Sequence, residues 1–200
     1  MRRTEFDIKD DNSINEVLET CEYGTLSLIS SGKPYGIALN FVYYKNAIYF
    51  HGAKEGKKIE AIKESCNCSF LVVNPYSFIP SYFSNTIAAC PATQFFASVL
   101  VEGTLSFVEN GEEKADILNA LMKKFQSEDS FEKISYDKTM YTKMLDKTAI
   151  IKLSPKNISC KIKMGQNLTN ERRDVLLGHL EKEDTKISKD TLNLIKLYNN

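Results

Sequence analysis

The chain has 200 residues, 42% hydrophobic and 26% charged, which is the size and make-up of a globular domain able to bury a substantial core. Lys+Arg and Asp+Glu each total 26, so the net charge is zero, and this disfavours nucleic acid as the main partner because counterion release needs a basic excess. No stretch approaches the roughly 18 apolar residues of a membrane helix, the N-terminal MRRTEFDIKDDN holds no apolar signal core, and the five cysteines are an odd number, so the expectation is a cytoplasmic protein whose thiols act as small core groups.

In chain order, SINEVLET opens with Ser13 placed as an N-cap and Glu16 three residues on, and Ile14, Val17 and Leu18 share one helical face. From Gly24 the period becomes two. TLSLIS alternates, SSGKP turns, and GIALNFVYY alternates again with Ile37, Leu39, Phe41 and Tyr43 on one side. Ala38, Asn40 and Val42 oppose them, so both faces read as half buried, which suits a barrel or a ligand-covered sheet. Lys45-Asn46 is a tight hairpin turn, and AIYFH returns as a third strand. Gly56 precedes the short helix KKIEAIKES, with Ile59 and Ile62 inward, and CSFLVVN is the next strand.

PYSFIPSYFSNTIAACPATQ is predicted to be a long irregular loop whose aromatic stretch Tyr76–Phe83 closes over a ligand or fills an interface. FASVLVEGTLSFVEN is a long strand with a candidate bulge at Gly103. Ile117, Leu118, Leu121, Met122 and Phe125 then form the inward stripe of a helix, and KTAIIKLSPKNISCKI closes the sheet as two short strands around Ser154-Pro155. ERRDVLLGHLEK and DTLNLIKLYNN are weakly amphipathic helical stretches of a charged tail, read as a solvated face packed on the domain or on a partner subunit. These elements predict a mainly β, α+β fold, a barrel of about six antiparallel strands with flanking helices, over residues 1–164. Residues 165–200 form the helical C-terminal tail.

The stretch YFHGAKEGKK carries the functional signal. A glycine directly before a helix lets backbone approach a ligand, and the first turn offers free N–H groups to an anion. Lys57 and Lys58 would add charge-assisted bonds to a phosphate; alternatively GKK is an exposed, solvated helix start. Cations at a helix N-terminus oppose the helix dipole, and a bound anion would reverse that penalty. Neither a Walker loop nor a dinucleotide fingerprint is present.

The run GKPYGIALNFVYYKNAIYFHGAKEGKK resembles the central segment of the flavin-binding split-barrel proteins related to pyridoxamine 5'-phosphate oxidase, in the branch of the nitroimidazole-resistance (Nim-type) proteins. Pro34, Tyr35, Asn40, Phe41, Tyr43, Ile48, Tyr49, Phe50, His51, Ala53, Gly56 and Lys58 carry the pattern, supported by the N-terminal MRR and by SVLVEG. The likeness covers roughly residues 1–160. It implies a homodimer of split barrels with FMN at the subunit interface, phosphate held by Lys57 and Lys58, and the ring along Leu39, Asn40, Phe41 and Val42. By the same resemblance, His51 and Gly52 lie near the cofactor and Ser98 faces the flavin from the partner chain. The arginines and histidine that hold pyridoxal phosphate in the oxidase itself are not found.

His51 is the candidate catalytic residue, binding an anionic substrate group or relaying protons, or else a structural histidine at a strand end. Cys66-x-Cys68 lacks the second pair of a metal site, and Cys90 is a buried or redox-sensitive thiol. The expected function is FMN-dependent reduction of a nitroaromatic or quinone-like acceptor by NAD(P)H. A flavin-binding module without turnover and a haem-binding or haem-degrading split barrel are the alternatives.

Overall fold

The computed structural model describes residues 2–84, 87–126 and 130–199. Met1 of the N-terminal motif, Asn85 and Thr86 of the expected loop, and Asn200 of the tail lie outside the described residues. In chain order a 3-10 turn at Thr4–Phe6 leads to β1 (Asp7–Ile8), α1 (Asp11–Thr20), β2 (Tyr23–Ser30), β3 (Lys33–Asn40), β4 (Val42–Tyr44) and β5 (Ala47–Ala53). Then follow α2 (Lys57–Glu64), β6 (Asn67–Ile79), a 3-10 turn at Ser81–Ser84, β7 (Thr93–Val108), α3 (Gly111–Phe125), α4 (Thr139–Lys147), β8 (Thr148–Lys163), α5 (Asn170–Glu183) and α6 (Lys186–Tyr198). The strands order as β3-β2-β6-β7-β8-β5-β4, with β1 paired to β8, in an α+β, mainly β fold. Among the described residues the sheet has eight strands, where about six were expected.

Local chemistry explains several boundaries. The Asp10 carboxylate accepts from the Ser13 N–H and Oγ, both at 2.8 Å, so Asp10 rather than Ser13 caps α1. The β4–β5 hairpin closes around Lys45 and Asn46 at φ 47° and 59°, the left-handed pair that matches strand twist, with Tyr44 opposite Ala47. The alternating stretch 36–44 is not one strand. It breaks at Phe41, whose fully buried ring meets Phe70 edge-on at 5.1 Å.

Three other expectations change. PYSFI continues β6 instead of starting a loop, so the irregular segment is shorter and holds a 3-10 turn. Pro155 does not divide β8, which runs sixteen residues. At Gly103 the requirement is close approach rather than conformational freedom, since a Cβ there would collide with the Ser154 carbonyl.

The chain forms two compact units. One comprises residues 15–72 and 99–158. Its core holds Leu26, Phe41, Phe50 and Phe70, and α3 contributes Ile117, Leu118 and Leu121 to a cluster with Val42, Tyr49, Leu145 and Ile150. Phe125, expected in that stripe, is 41% exposed at the last residue of α3. β3 is an edge strand, and both of its faces are only half-buried or exposed in the protomer. The other unit comprises residues 1–14, 73–98 and 159–200, with Phe6, Ile79, Phe83, Phe95, Leu180 and Ile195 buried.

The tail helices are fixed in this second unit by more than apolar contact. Thr191 Oγ1 accepts from the Ser77 N–H at 3.0 Å, lies 2.9 Å from Ser77 Oγ, and donates to the Ile187 carbonyl at 2.7 Å. Ser77 and Thr191 are both buried. Thr191→Val keeps the shape but leaves the Ser77 N–H unpaired, so it will cost about 1–3 kcal/mol. Hydrogen exchange will show that amide and α6 losing protection; unchanged protection would mean that water replaces the hydroxyl.

Candidate functional site

The site lies in the first unit, where β5 ends and α2 begins. α2 starts at Gly56, whose φ of 96° is open to glycine and strained for other residues, and the Gly56 carbonyl accepts from the Ile59 and Glu60 N–H groups at 2.9 and 3.1 Å. Ile59, Ala61 and Ile62 bury one face of the helix against β2. That packing presents Lys57 and Lys58, in the first turn, toward the strands.

The two lysines are in different surroundings. Lys57 is exposed, with its Nζ 4.4 Å from the centre of the Tyr35 ring. Lys58 is half-buried, its Nζ 5.7 Å from the buried Phe50 ring, and desolvation lowers its pKa. A Cβ on Gly52 would sit 2.5 Å from this ammonium, so the bare glycine is what lets Lys58 lie against β5. Among the described residues no carboxylate forms an ion pair with either lysine.

His51 precedes Gly52 on β5, paired with Ile150 of β8. Its residue surface is exposed, yet the protein matter around the ring desolvates it, and that burial, followed by the Lys58 charge, lowers its pKa. Both effects favour the neutral imidazole, in which one nitrogen donates and one accepts.

The remaining candidates divide. Leu39 and Asn40 end β3 half-buried, and the Asn40 amide donates to the Glu22 carbonyl at 3.2 Å. Phe41 and Val42 are buried in the core, so only their backbone is free to meet a ligand. Ser98 is half-buried on β7, on the strand face opposite buried Ala97 and Val99. Cys66 is exposed, and Cys68 is half-buried with its pKa raised by burial to about 12, a protonated thiol rather than a metal-ready thiolate. Cys90 is exposed, which removes the buried alternative.

Sequence reading missed Lys124. Its Nζ lies 3.9 Å from the Phe41 ring centre and donates to the Leu18 and Cys21 carbonyls at 3.0 and 2.6 Å, closing the C-terminal end of α1. Its position in the last turn of α3 suggests a cap for α3's own end rather than for α1, so no sequence signal pointed to this role. Burial lowers its pKa from 10.5 to about 8. The unfolded chain then holds the proton between those values while the folded one releases it, so this group favours folding increasingly as pH rises through that window. Urea titrations at about pH 7.5 and about pH 9.5 will show the wild type gaining on Lys124→Met with pH; a constant difference would refute the shift.

Solved structures share this fold. A candidate 5-nitroimidazole antibiotic resistance protein from Bacteroides thetaiotaomicron matches with a TM-score of 0.64 and 22% identity, over 78% of this chain and 86% of that one. The flavocytochrome Anf3 from Azotobacter vinelandii gives 0.66 and 18%, over 79% and 69% of the two chains. A FAD and heme binding protein from Mycobacterium smegmatis gives 0.67 and 18%, over 78% and 73%. At these identities the likeness is one of fold, the split barrel. No curated protein matches the chain. Residues 10–162, from the cap of α1 to the penultimate residue of β8, match the pyridoxamine 5'-phosphate oxidase family, and the chain belongs to that family.

Proposed function

We propose that the protein is a cytoplasmic, homodimeric FMN-dependent oxidoreductase that reduces a small nitroaromatic or quinone-like acceptor with electrons from NAD(P)H. The observation that carries this reading is Lys58: a half-buried, desolvated ammonium with no ion-paired carboxylate among the described residues, held at a glycine-opened helix start. Burying a cation without a counter-charge is unfavourable, and a phosphate at this place would remove the cost. The residues present therefore fit the charged end of a flavin nucleotide. Relatives in fold that carry flavin by name are consistent with it.

FMN, when bound, supplies the redox chemistry. In this reading Lys57, Lys58 and the first amides of α2 bind its phosphate, and the Gly52 backbone keeps Lys58 in reach. The backbone from Leu39 to Val42 orients the ring, and neutral His51 holds or passes a proton at a ring nitrogen. Ser98 comes from across the subunit interface. Exposed Tyr23, Ile29 and Leu71 on the outer face of β2 and β6 support such an interface, since water-facing apolar residues grouped on one sheet face favour a covering partner.

The test is an absorption spectrum of the purified protein, titrated with FMN and then assayed with NADH and a quinone. Uptake of FMN with turnover agrees with the proposal. Uptake without turnover would leave the non-catalytic flavin module, and a Soret band would move the assignment to haem with His51 as the candidate ligand. A protein that takes up no flavin would overturn the reading.

A further inference from the structure

The second unit contains a cavity of about 300 Å³, bounded by the 3-10 turn at Ser81–Ser84, the start of β7, the end of β8 and α5. Its apolar wall is Ile79, Phe83, Phe95, Leu168 and Leu176. Phe83 is held in place by His179, whose ring stacks on it at 4.1 Å with 10° between planes. The polar part of the wall carries Arg3, Lys163 and Arg172, and no carboxylate among its described residues.

Among the described residues the three cations are poorly neutralised. Among the described residues the carboxylate near Arg3 is that of Glu5, at a long 3.8 Å with both side chains well exposed, and its guanidinium lies 5.8 Å from the Phe6 ring centre. Lys163 is half-buried and donates to the Thr93 hydroxyl, a neutral acceptor. Desolvation, then repulsion from Lys161 and Arg3, lowers its pKa. Arg172 stands in the first turn of α5, where a cation opposes the helix dipole. A cavity that gathers like charge beside aromatic walls has the make-up of a ligand site with one anionic and one apolar end.

We propose that this cavity binds a small organic anion, a carboxylate or phosphate carried on a single ring or short hydrocarbon, with Arg3, Lys163 and Arg172 on the anionic group and Phe83 and Phe95 on the body. Asn167, Leu168, Arg172 and Leu176 lie beyond residue 162, where the family match ends, so the site is built partly by this chain's own tail. Its volume, at the low end of ligand pockets, excludes a flavin and admits a one-ring compound.

The experiment is isothermal titration of the full chain with phenyl phosphate, benzoate, inorganic phosphate and benzyl alcohol. Saturable binding of phenyl phosphate or benzoate is expected, and which of the two binds tells phosphate from carboxylate. Inorganic phosphate and benzyl alcohol, each lacking one end, bind much more weakly. Affinity for the aryl anion falls at least about tenfold in Arg172→Ala and in Lys163→Met, the loss of one charged hydrogen bond. Arg172 is exposed, so that variant will fold even if Lys163→Met does not. Lys58→Ala binds the aryl anion as wild type does, which separates this site from the one at α2. Absence of saturable binding, equal binding of inorganic phosphate, or loss confined to Lys58→Ala would each overturn the proposal.

Discussion

Replacing Phe70 by alanine will lower the stability of the protein by about 3–5 kcal/mol, the range for emptying a fully buried phenylalanine site. Phe70 is 0% exposed and central to an aromatic group, edge-on to Phe41 at 5.1 Å and parallel to Phe50 at 6.4 Å. It pairs across the sheet with Leu26, itself fully buried. Below it, Gly24 has no room for a side chain, since a Cβ there would overlap the Phe70 ring edge. The backbone of β2 and the ring of β6 thus interlock, and neither Phe41 nor Phe50 can move in without leaving its own place. In urea the expected loss reads as a lower midpoint, and in a thermal scan as a drop of roughly 6–20 °C for a chain of this length. The same overlap gives a sharper readout. Gly24→Ala alone is strongly destabilising, whereas in the Phe70→Ala background the added methyl enters the space the ring has left. The double variant will therefore be more stable than the two single losses sum to. Additive losses, or a Phe70→Ala cost below about 1 kcal/mol, would show that the site collapses and that the interlock is not what orders the sheet.

Much of this arrangement was legible where the signal is local. Lys45-Asn46 announces a two-residue turn because its residues tolerate positive φ, and both adopt it. Ile59 and Ile62 announce the buried side of α2, and Gly56 its start. What failed was decided at long range. Pro75 and Pro155 read as breaks, yet both lie inside long strands, because pairing along β6 and β8 outweighs the preference of one residue. GIALNFVYY alternates cleanly and still breaks, because burial of the Phe41 ring against Phe70 takes precedence over continuing the ladder. In the site, the spacing of His51, Gly52, Lys57 and Lys58 was visible, but the difference between the two lysines was not. No rule of sequence says that Lys58 loses water while Lys57 keeps it; that follows from where α2 packs. The capping role of Lys124 needed the same knowledge.

Lys58→Ala will weaken FMN binding by about 1.5–3 kcal/mol, roughly 10- to 150-fold, as expected for losing a charged hydrogen bond to a phosphate. Lys57→Ala will cost less, because an exposed ammonium remains hydrated before and after binding. The pH dependence discriminates further. Desolvation holds the Lys58 pKa below its ordinary value in the free protein, and a phosphate beside it would raise it again. Binding therefore favours the protonated lysine, so the lysine's contribution to affinity is fully present below the lowered pKa and falls as pH rises through it. In Lys58→Ala this alkaline fall disappears, while weakening at acid pH persists because it arises from protonation of the phosphate near pH ~6. Gly52→Ala offers a variant that keeps the charge and moves it, since its methyl would occupy the place 2.5 Å from the ammonium. The lysine is a flexible side chain and can swing away, so the fold will tolerate the change while flavin affinity drops. Unchanged affinity in both Lys58→Ala and Gly52→Ala would place the phosphate elsewhere, whatever the absorption spectrum shows.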